Sequence, residues 1–291
     1  MSLPPTLAEA IAARLASPIR RVSSVGGGCI AHATRLDTDD GSFFLKYGGG
    51  EVARTFPAEA AGLRALRAAE SPLFVPVVVG AEEETGAHPG FLLMEWIEPG
   101  AQRDGFWEAF GSGLAAMHRH TAEHFGFAQD NFIGRLPQRN TWADTWTGFF
   151  RDHRLEPQVQ MARERGRWSA AWNRALETLY LRLGDLLPEQ PPSSILHGDL
   201  WSGNYLVTAT GPAALIDPAA YYGHREADLA MTELFGGFPA RFYRAYREAW
   251  PLAPGYDTRR EIYNLYHLIN HLNHFGSSYA GSVASILEKL A

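Results

Sequence analysis

An aspartate, an asparagine and a second aspartate stand at Asp199, Asn204 and Asp217, a spacing of Asp-x4-Asn-x12-Asp. The first two fall in His197-Gly198-Asp199-Leu200-Trp201-Ser202-Gly203-Asn204, and the third follows the apolar run Ala213-Ala214-Leu215-Ile216. A carboxylate can take the proton of an attacking hydroxyl, and an amide oxygen with a second carboxylate can hold Mg²⁺, a cation that prefers hard oxygen donors. Phosphoryl transfer asks for those groups: it needs little covalent help, but it needs a metal cage and a positioned acceptor. In that chemistry Asp199 orients the acceptor hydroxyl while Asn204 and Asp217 hold Mg²⁺.

A phosphate donor needs its own wall. Gly26-Gly27-Gly28 lies between two strand-like segments, where a glycine loop lets backbone N–H groups approach phosphate oxygens. Lys46 interrupts the apolar Phe43-Phe44-Leu45-Lys46-Tyr47, and Glu59 follows thirteen residues later at the start of a helical pattern. A helix-borne Glu that pairs with a strand Lys holds that Lys against the α- and β-phosphates of ATP. Each feature alone has a plainer reading: a turn, an exposed strand face, a favourable carboxylate at a helix N-terminus. Beside the Asp199 loop they read together as an ATP site. Phe91-Leu92-Leu93-Met94-Glu95-Trp96-Ile97 resembles a hinge strand, with the backbone of Glu95 and Ile97 at the adenine edge.

The elements that must carry these residues divide the chain. Ile19 to Val25, Cys29 to Leu36, Ser42 to Tyr47, Val75 to Ala81 and Gly90 to Ile97 read as strands, and Phe56 to Ala69 as a helix. Glu98-Pro99-Gly100 punctuates the end of this block, so residues 1–97 are expected to form a small nucleotide-binding lobe and residues 98–291 a helical lobe with the catalytic loop and acceptor site. The helices expected there are Gly105 to His120, Trp142 to Arg151, Pro157 to Arg165, Ser169 to Leu187, Phe238 to Trp250, Arg259 to Phe275 and Val283 to Leu290. A strand-and-turn region, Ser194 to Pro218, interrupts them. The expected fold is α+β and bilobal, of the protein-kinase-like kind.

The 291 residues, 46% hydrophobic, are enough for two lobes with their own cores. A net charge of −6 without a Lys/Arg block argues against nucleic acid and anionic membrane surfaces as partners. Met1 to Leu15 reads as an amphipathic helix rather than a signal peptide, and the apolar run near Phe74 is too short to cross a bilayer. The expected setting is the cytoplasm. Cys29 is the only cysteine, which excludes an intrachain disulfide and a multi-cysteine zinc site.

HGDLWSGN with LIDPA resembles the fructosamine (ketosamine) kinase family, a branch of the aminoglycoside-phosphotransferase-like kinases. The likeness covers nearly the whole chain. Gly26-Gly27-Gly28-Cys29-Ile30 looks like the family's glycine loop. Phe125-Gly126-Phe127, Asp130-Asn131-Phe132-Ile133-Gly134, Pro137-Gln138 and Asn140 look like its mid-chain signature, continued by Trp146, Phe149-Phe150 and Arg154-Leu155. Asn270-His271-Leu272-Asn273-His274-Phe275-Gly276 looks like its C-terminal helix. The resemblance implies ATP- and Mg²⁺-dependent phosphorylation of the 3-hydroxyl of a ketosamine sugar, free or protein-bound, which destabilises the adduct and restores the amine. It implies Asp199 as base, Asn204 and Asp217 as metal ligands, Lys46 with Glu59 as the phosphate clamp, and Leu206 of Tyr205-Leu206-Val207 in the floor of the nucleotide pocket.

Other residues keep two readings. His197 is expected to brace its loop, and Asp228 to cap a helix or brace that loop from below. Trp201 is either core filling or a platform for the sugar or amine. His267, His271 and His274 share one helix at metal-ligand spacing, but without further ligands a hydrogen-bonded polar face is favoured over metal; His271 and His274 are expected near substrate. Cys29, beside the glycine loop, is a redox candidate that could join two otherwise monomeric chains in a homodimer. The rival functions are a kinase of the same fold acting on an aminoglycoside or choline-like alcohol, and a nucleotide-binding pseudokinase.

Overall fold

The computed structural model describes residues 2–26 and 31–290. A strand-rich part precedes a helical one, as the pattern of elements predicts. Helix α1 (Pro5–Leu15) opens on a proline, which loses no intrahelical bond there. Strands β1 (Ile19–Ser24), β2 (His32–Thr38), β3 (Gly41–Gly48), β4 (Val78–Glu82) and β5 (Gly90–Glu95) form an antiparallel sheet in the order β1-β2-β3-β5-β4. Period-two alternation along β3 turns Leu45 and Tyr47 into a cluster with Leu7 and Ile11 of α1. Lys46 therefore faces the other way, toward α2 (Thr55–Ala68), which carries Glu59.

The helical part runs through α3 (Phe106–His118), β6 (Thr121–Ala122), the hairpin β7 (Asn131–Ile133) and β8 (Leu136–Gln138), and α4 (Trp146–Phe149). A π-helical turn, Phe150–Leu155, joins α4 to α5 (Glu156–Glu164), which is followed by α6 (Asn173–Leu186). Four short strands then carry the chemistry: β9 (Ser193–Leu196), β10 (Tyr205–Val207), β11 (Ala213–Leu215) and β12 (Tyr221–His224). Helices α7 (Glu226–Leu234), α8 (Ala240–Ala249), α9 (Tyr256–Phe275) and α10 (Ala280–Leu290) complete the chain.

Two expectations needed correction. The helix over Trp142 to Arg151 starts only at Trp146, because Ala143 exchanges both backbone hydrogen bonds with Phe125 and the Thr145 hydroxyl caps the helix at Gly148 N. The strand expected from Val75 begins at Val78. Pro76 has no N–H to give a ladder, and Phe74 pairs with β11 instead: Phe74 N donates to Ala213 O (2.9 Å) and Leu215 N to Phe74 O (2.9 Å). A second backbone tie joins the two parts where Gly100 N donates to Val207 O and Ala209 N to Glu98 O, both at 2.8 Å. Among the described residues no helix is long and apolar enough to cross a membrane.

Candidate active site

Residues 197–204 connect β9 to β10, and residues 216–220 connect β11 to β12. Because β9 pairs with β12 (Leu196↔Tyr221) and β10 with β11 (Tyr205↔Leu215), the two loops are held side by side. Ala219 N donates to His197 O (2.9 Å) and Ile216 N to Asn204 O (3.1 Å). The second bond sits at the end of the β10–β11 ladder and puts Asn204 and Asp217 at the same end of one hairpin. The approach of the loops is close: a Cβ on Gly198, whose φ is +80°, would stand 2.1 Å from Ala219 O.

Buried Asp228 braces the first loop. Its carboxylate accepts from His197 N (2.7 Å) and Gly198 N (2.8 Å) and contacts His118 Nε2 (3.2 Å), whose Nδ1 meets Tyr246 Oη (2.8 Å). Of the two readings of Asp228 the structure takes the brace, since no side chain caps α7. Burial pushes its carboxyl up, but His118 and the backbone donors outweigh this and hold it below the usual range. His197 is a brace too. Its Nδ1 accepts from Asp199 N (3.3 Å), which places the ring proton on Nε2, aimed at Ile216 O (2.9 Å). Burial lowers its pKa, so the ring is neutral.

Among the described residues Asp199 has one side-chain donor, Asn204 Nδ2, at 3.0 Å from Oδ2 and 2.8 Å from the Asp199 carbonyl oxygen. Burial, reinforced by Asp217 and Asp228 against the Asn204 hydrogen bond, pushes the Asp199 carboxyl up to about 7. A carboxylate there sits where a general base is most effective near neutral pH.

Opposite stands an ionic cluster. Lys46 Nζ lies 2.8 Å from Glu59 Oε1 and 2.5 Å from Asp217 Oδ1. Burial works against the Lys46 charge, but the two carboxylates outweigh it and the ammonium pKa rises. Burial also pushes the Glu59 carboxyl up, against the pull of Lys46. Helix α2 rests on the Asp217 loop through Gly62, where a Cβ would meet Pro218 Cγ and Ala220 Cβ at 3.3 Å. Asp217 itself has φ +54°, a left-handed conformation unusual for a residue without glycine's freedom.

The donor set fits Mg²⁺. Asn204 spends its NH₂ on Asp199, which leaves its amide oxygen for a cation, and the Asp217 side chain is half exposed beside it. Mg²⁺ commonly takes one or two protein oxygens and completes its shell with water and substrate phosphates.

The remaining expected positions vary. Gly26 is described and precedes β2; Gly27, Gly28 and Cys29 lie outside the described residues, and with them the redox pairing expected of Cys29. Glu95 N donates to Val77 O and Trp96 N to Ser42 O, so those amides are spent; Ile97 lies just beyond the ladder. Leu206 in β10 and Trp201 in the catalytic loop are both about two-fifths exposed, at 40% and 39%. The Trp201 ring folds over Gly203. His271 packs among Phe235, Phe275 and Tyr279 with Nδ1 on its own helix at His267 O (2.8 Å), and His274 Nε2 meets Ile133 O (3.2 Å). Burial lowers the pKa of both. Among the described residues no three His, Cys, Asp or Glu side chains gather as a metal site. Sequence reasoning missed His118 as the partner of Asp228, and gave Asn131, Gln138, Asn140 and Arg154 no role. The signal for the first three was three amides within ten residues, Asn131, Gln138 and Asn140.

The family model described as fructosamine kinase matches residues 5–291. A chloroplastic protein-ribulosamine 3-kinase of Oryza sativa subsp. indica is 41% identical over 281 residues, 94% of this chain and 79% of the relative. A crystal structure of a Thermobifida fusca protein, provisionally named a fructosamine-3-kinase, superposes with TM-score 0.85 at 34% identity over 97% of each chain. At 15% identity and TM-score 0.67, over 97% of this chain and 98% of the other, an aminoglycoside phosphotransferase solved with AMP-PNP and hygromycin B shares the bilobal kinase-like fold.

Proposed function

The chain belongs to the fructosamine kinase family, and on that premise we propose that it moves the γ-phosphoryl group of ATP to the 3-hydroxyl of a ketosamine sugar, a step that labilises the adduct and frees the amine. That the protein is a ketosamine kinase follows from the family and from its ribulosamine-kinase relatives. The position phosphorylated, the repair role and the residue assignments are the further reading.

One observation carries those assignments. Lys46 spans Glu59 and Asp217 while Asn204 holds Asp199, so the lysine, the three carboxylates and the amide named for phosphoryl transfer lie in two adjoining hydrogen-bonded groups. Lys46 binds and orients the donor phosphates, with Glu59 fixing its direction. Asp199 accepts the proton of the sugar hydroxyl, and the amide of Asn204 keeps its carboxylate turned to the cleft. Asn204 and Asp217 would hold Mg²⁺, which when bound neutralises charge developing on the phosphate oxygens. Trp201, on the same turn as Asp199, offers a flat face to the sugar. A pseudokinase lacks one of these parts; this chain has them all.

The test is Mg·ATP with a fructosyl-amine, a ribulosyl-amine, an aminoglycoside and choline, the product's phosphorylated carbon being read by NMR. Turnover of a ketosamine at carbon 3 is expected, with none on the other alcohols. Phosphorylation only of the aminoglycoside or choline, or at another carbon, overturns the reading.

A further inference from the structure

The hairpin β7–β8 and the turn after it bury three amides, Asn131, Gln138 and Asn140. They do not solvate one another alone. Asn131 Nδ2 donates to Ala220 O (2.8 Å), and Gln138 Nε2 donates to Ala219 O (3.0 Å) and to Asn131 Oδ1 (2.8 Å). Asn140 Nδ2 donates to Asn131 Oδ1 (2.9 Å), and Arg154 Nη2 donates to Asn140 Oδ1 (2.7 Å). Tyr266 Oη, from α9, donates to Gln138 Oε1 (2.6 Å).

Arg154 anchors the group. It is fully buried, its guanidinium lies 3.8 Å over the Tyr221 ring, and among the described residues no carboxylate pairs with it. The π-helical turn Phe150–Leu155 directs it inward, a departure from α geometry often found near functional sites. A guanidinium buried without a counter-charge is poor value as a stability device. What it does here is hold the Asn140 end of a chain of amides whose other end is the backbone of Ala219 and Ala220.

That backbone follows directly on Asp217 and Pro218. Asp217 is in the left-handed region and precedes a proline, which itself disfavours helical values, so its conformation persists only under restraint from outside. One side of the restraint is the catalytic loop, through Ala219 N to His197 O. The other side is the amide group.

We propose that Asn131, Gln138 and Asn140, anchored by Arg154, are positioning residues that hold Ala219–Ala220 and thereby set the direction of the Asp217 carboxylate. The inference rests on Asp217 being a Mg²⁺ ligand. Removing a partner in the shell behind a ligand weakens metal binding, whereas a purely structural core contact lowers thermal stability and leaves the affinity of the folded protein alone.

The experiment follows Mn²⁺ binding to the full-length, ADP-saturated protein by EPR, with thermal melting alongside. Gln138→Met removes both donations and is expected to weaken Mn²⁺ about tenfold, with ADP affinity in EDTA unchanged. Tyr266→Phe leaves both donations in place and keeps wild-type Mn²⁺ affinity. If Gln138→Met does not fold, Asn131→Ser, which removes the donor to Ala220, is read against the same expectation. Asp217→Asn separates the two ideas. Loss of Mn²⁺ in Asp217→Asn with wild-type affinity in Gln138→Met or Asn131→Ser overturns the positioning role alone. Wild-type affinity in Asp217→Asn overturns the metal reading and the positioning role with it.

Discussion

Asp199 and Asp228 serve one loop from opposite sides, and the chain treats them differently. Asp228, below, meets two backbone N–H groups and a histidine, and its carboxyl is held below its ordinary range. Asp199, in the cleft, meets one amide and is pushed up to about 7. Burial acts on both in the same direction, so donors and neighbouring charges decide: His118 and the backbone lower Asp228, while Asp217 and Asp228 add to the burial of Asp199. A carboxylate with a full complement of donors is a fixed structural charge, and one left short of donors is a group that can exchange a proton.

Exchanging Asp199 is expected to separate function from folding most sharply. Asp199→Asn keeps the shape of the side chain and should lower kcat for a ketosamine by about 10³, with the melting temperature barely moved. A loss under about tenfold would mean that the cleft carboxylate is not the base.

Removing the lower carboxylate should do the reverse. Asp228→Ala leaves two buried N–H groups and His118 without their acceptor, and a stability loss of about 3–5 kcal/mol is expected by denaturant titration. The pH dependence has a definite sign. Because the folded pKa of Asp228 is depressed, its contribution is present at neutral pH and is lost as pH falls through that depressed value. The difference between wild type and Asp228→Ala should therefore shrink as pH falls in acid; a difference that widens with falling pH would contradict a charged brace.

The smallest effect expected is on rate against pH. Asp199 accepts a proton only when ionised, so kcat/KM should rise with pH along an acid limb at or below about 7, lower when a cation stands nearby. A profile that falls as pH rises over that interval breaks the comparison.

What could be read from the chain before its structure follows the range of the interactions involved. Leu45 and Tyr47 against Lys46 is a period-two signal, and α9 and α10 carry helical periods, so those elements were legible to within a few residues. The pairing of Phe74 with β11 and the bridge between Phe125 and Ala143 depend on partners beyond the local stretch, and local propensity cannot register them. The same holds for the site. Asp199, Asn204 and Asp217 are near in sequence and announced themselves by spacing; His118 reaches Asp228 across 110 positions, and Asn131 reaches Ala220 across 89.

Phe74 belongs to the segment that feeds the sheet, yet its backbone is hydrogen-bonded to both Ala213 and Leu215 of the strand that ends just before Asp217. A hinge movement of the sheet against the helices would therefore carry that strand along with it. That strand is also laddered to β10 and, through Ile216 N to Asn204 O, to the Asp199 loop, so Asp199 would travel with Asp217, and a swing of the sheet must bend the chain elsewhere or break one of those backbone bonds.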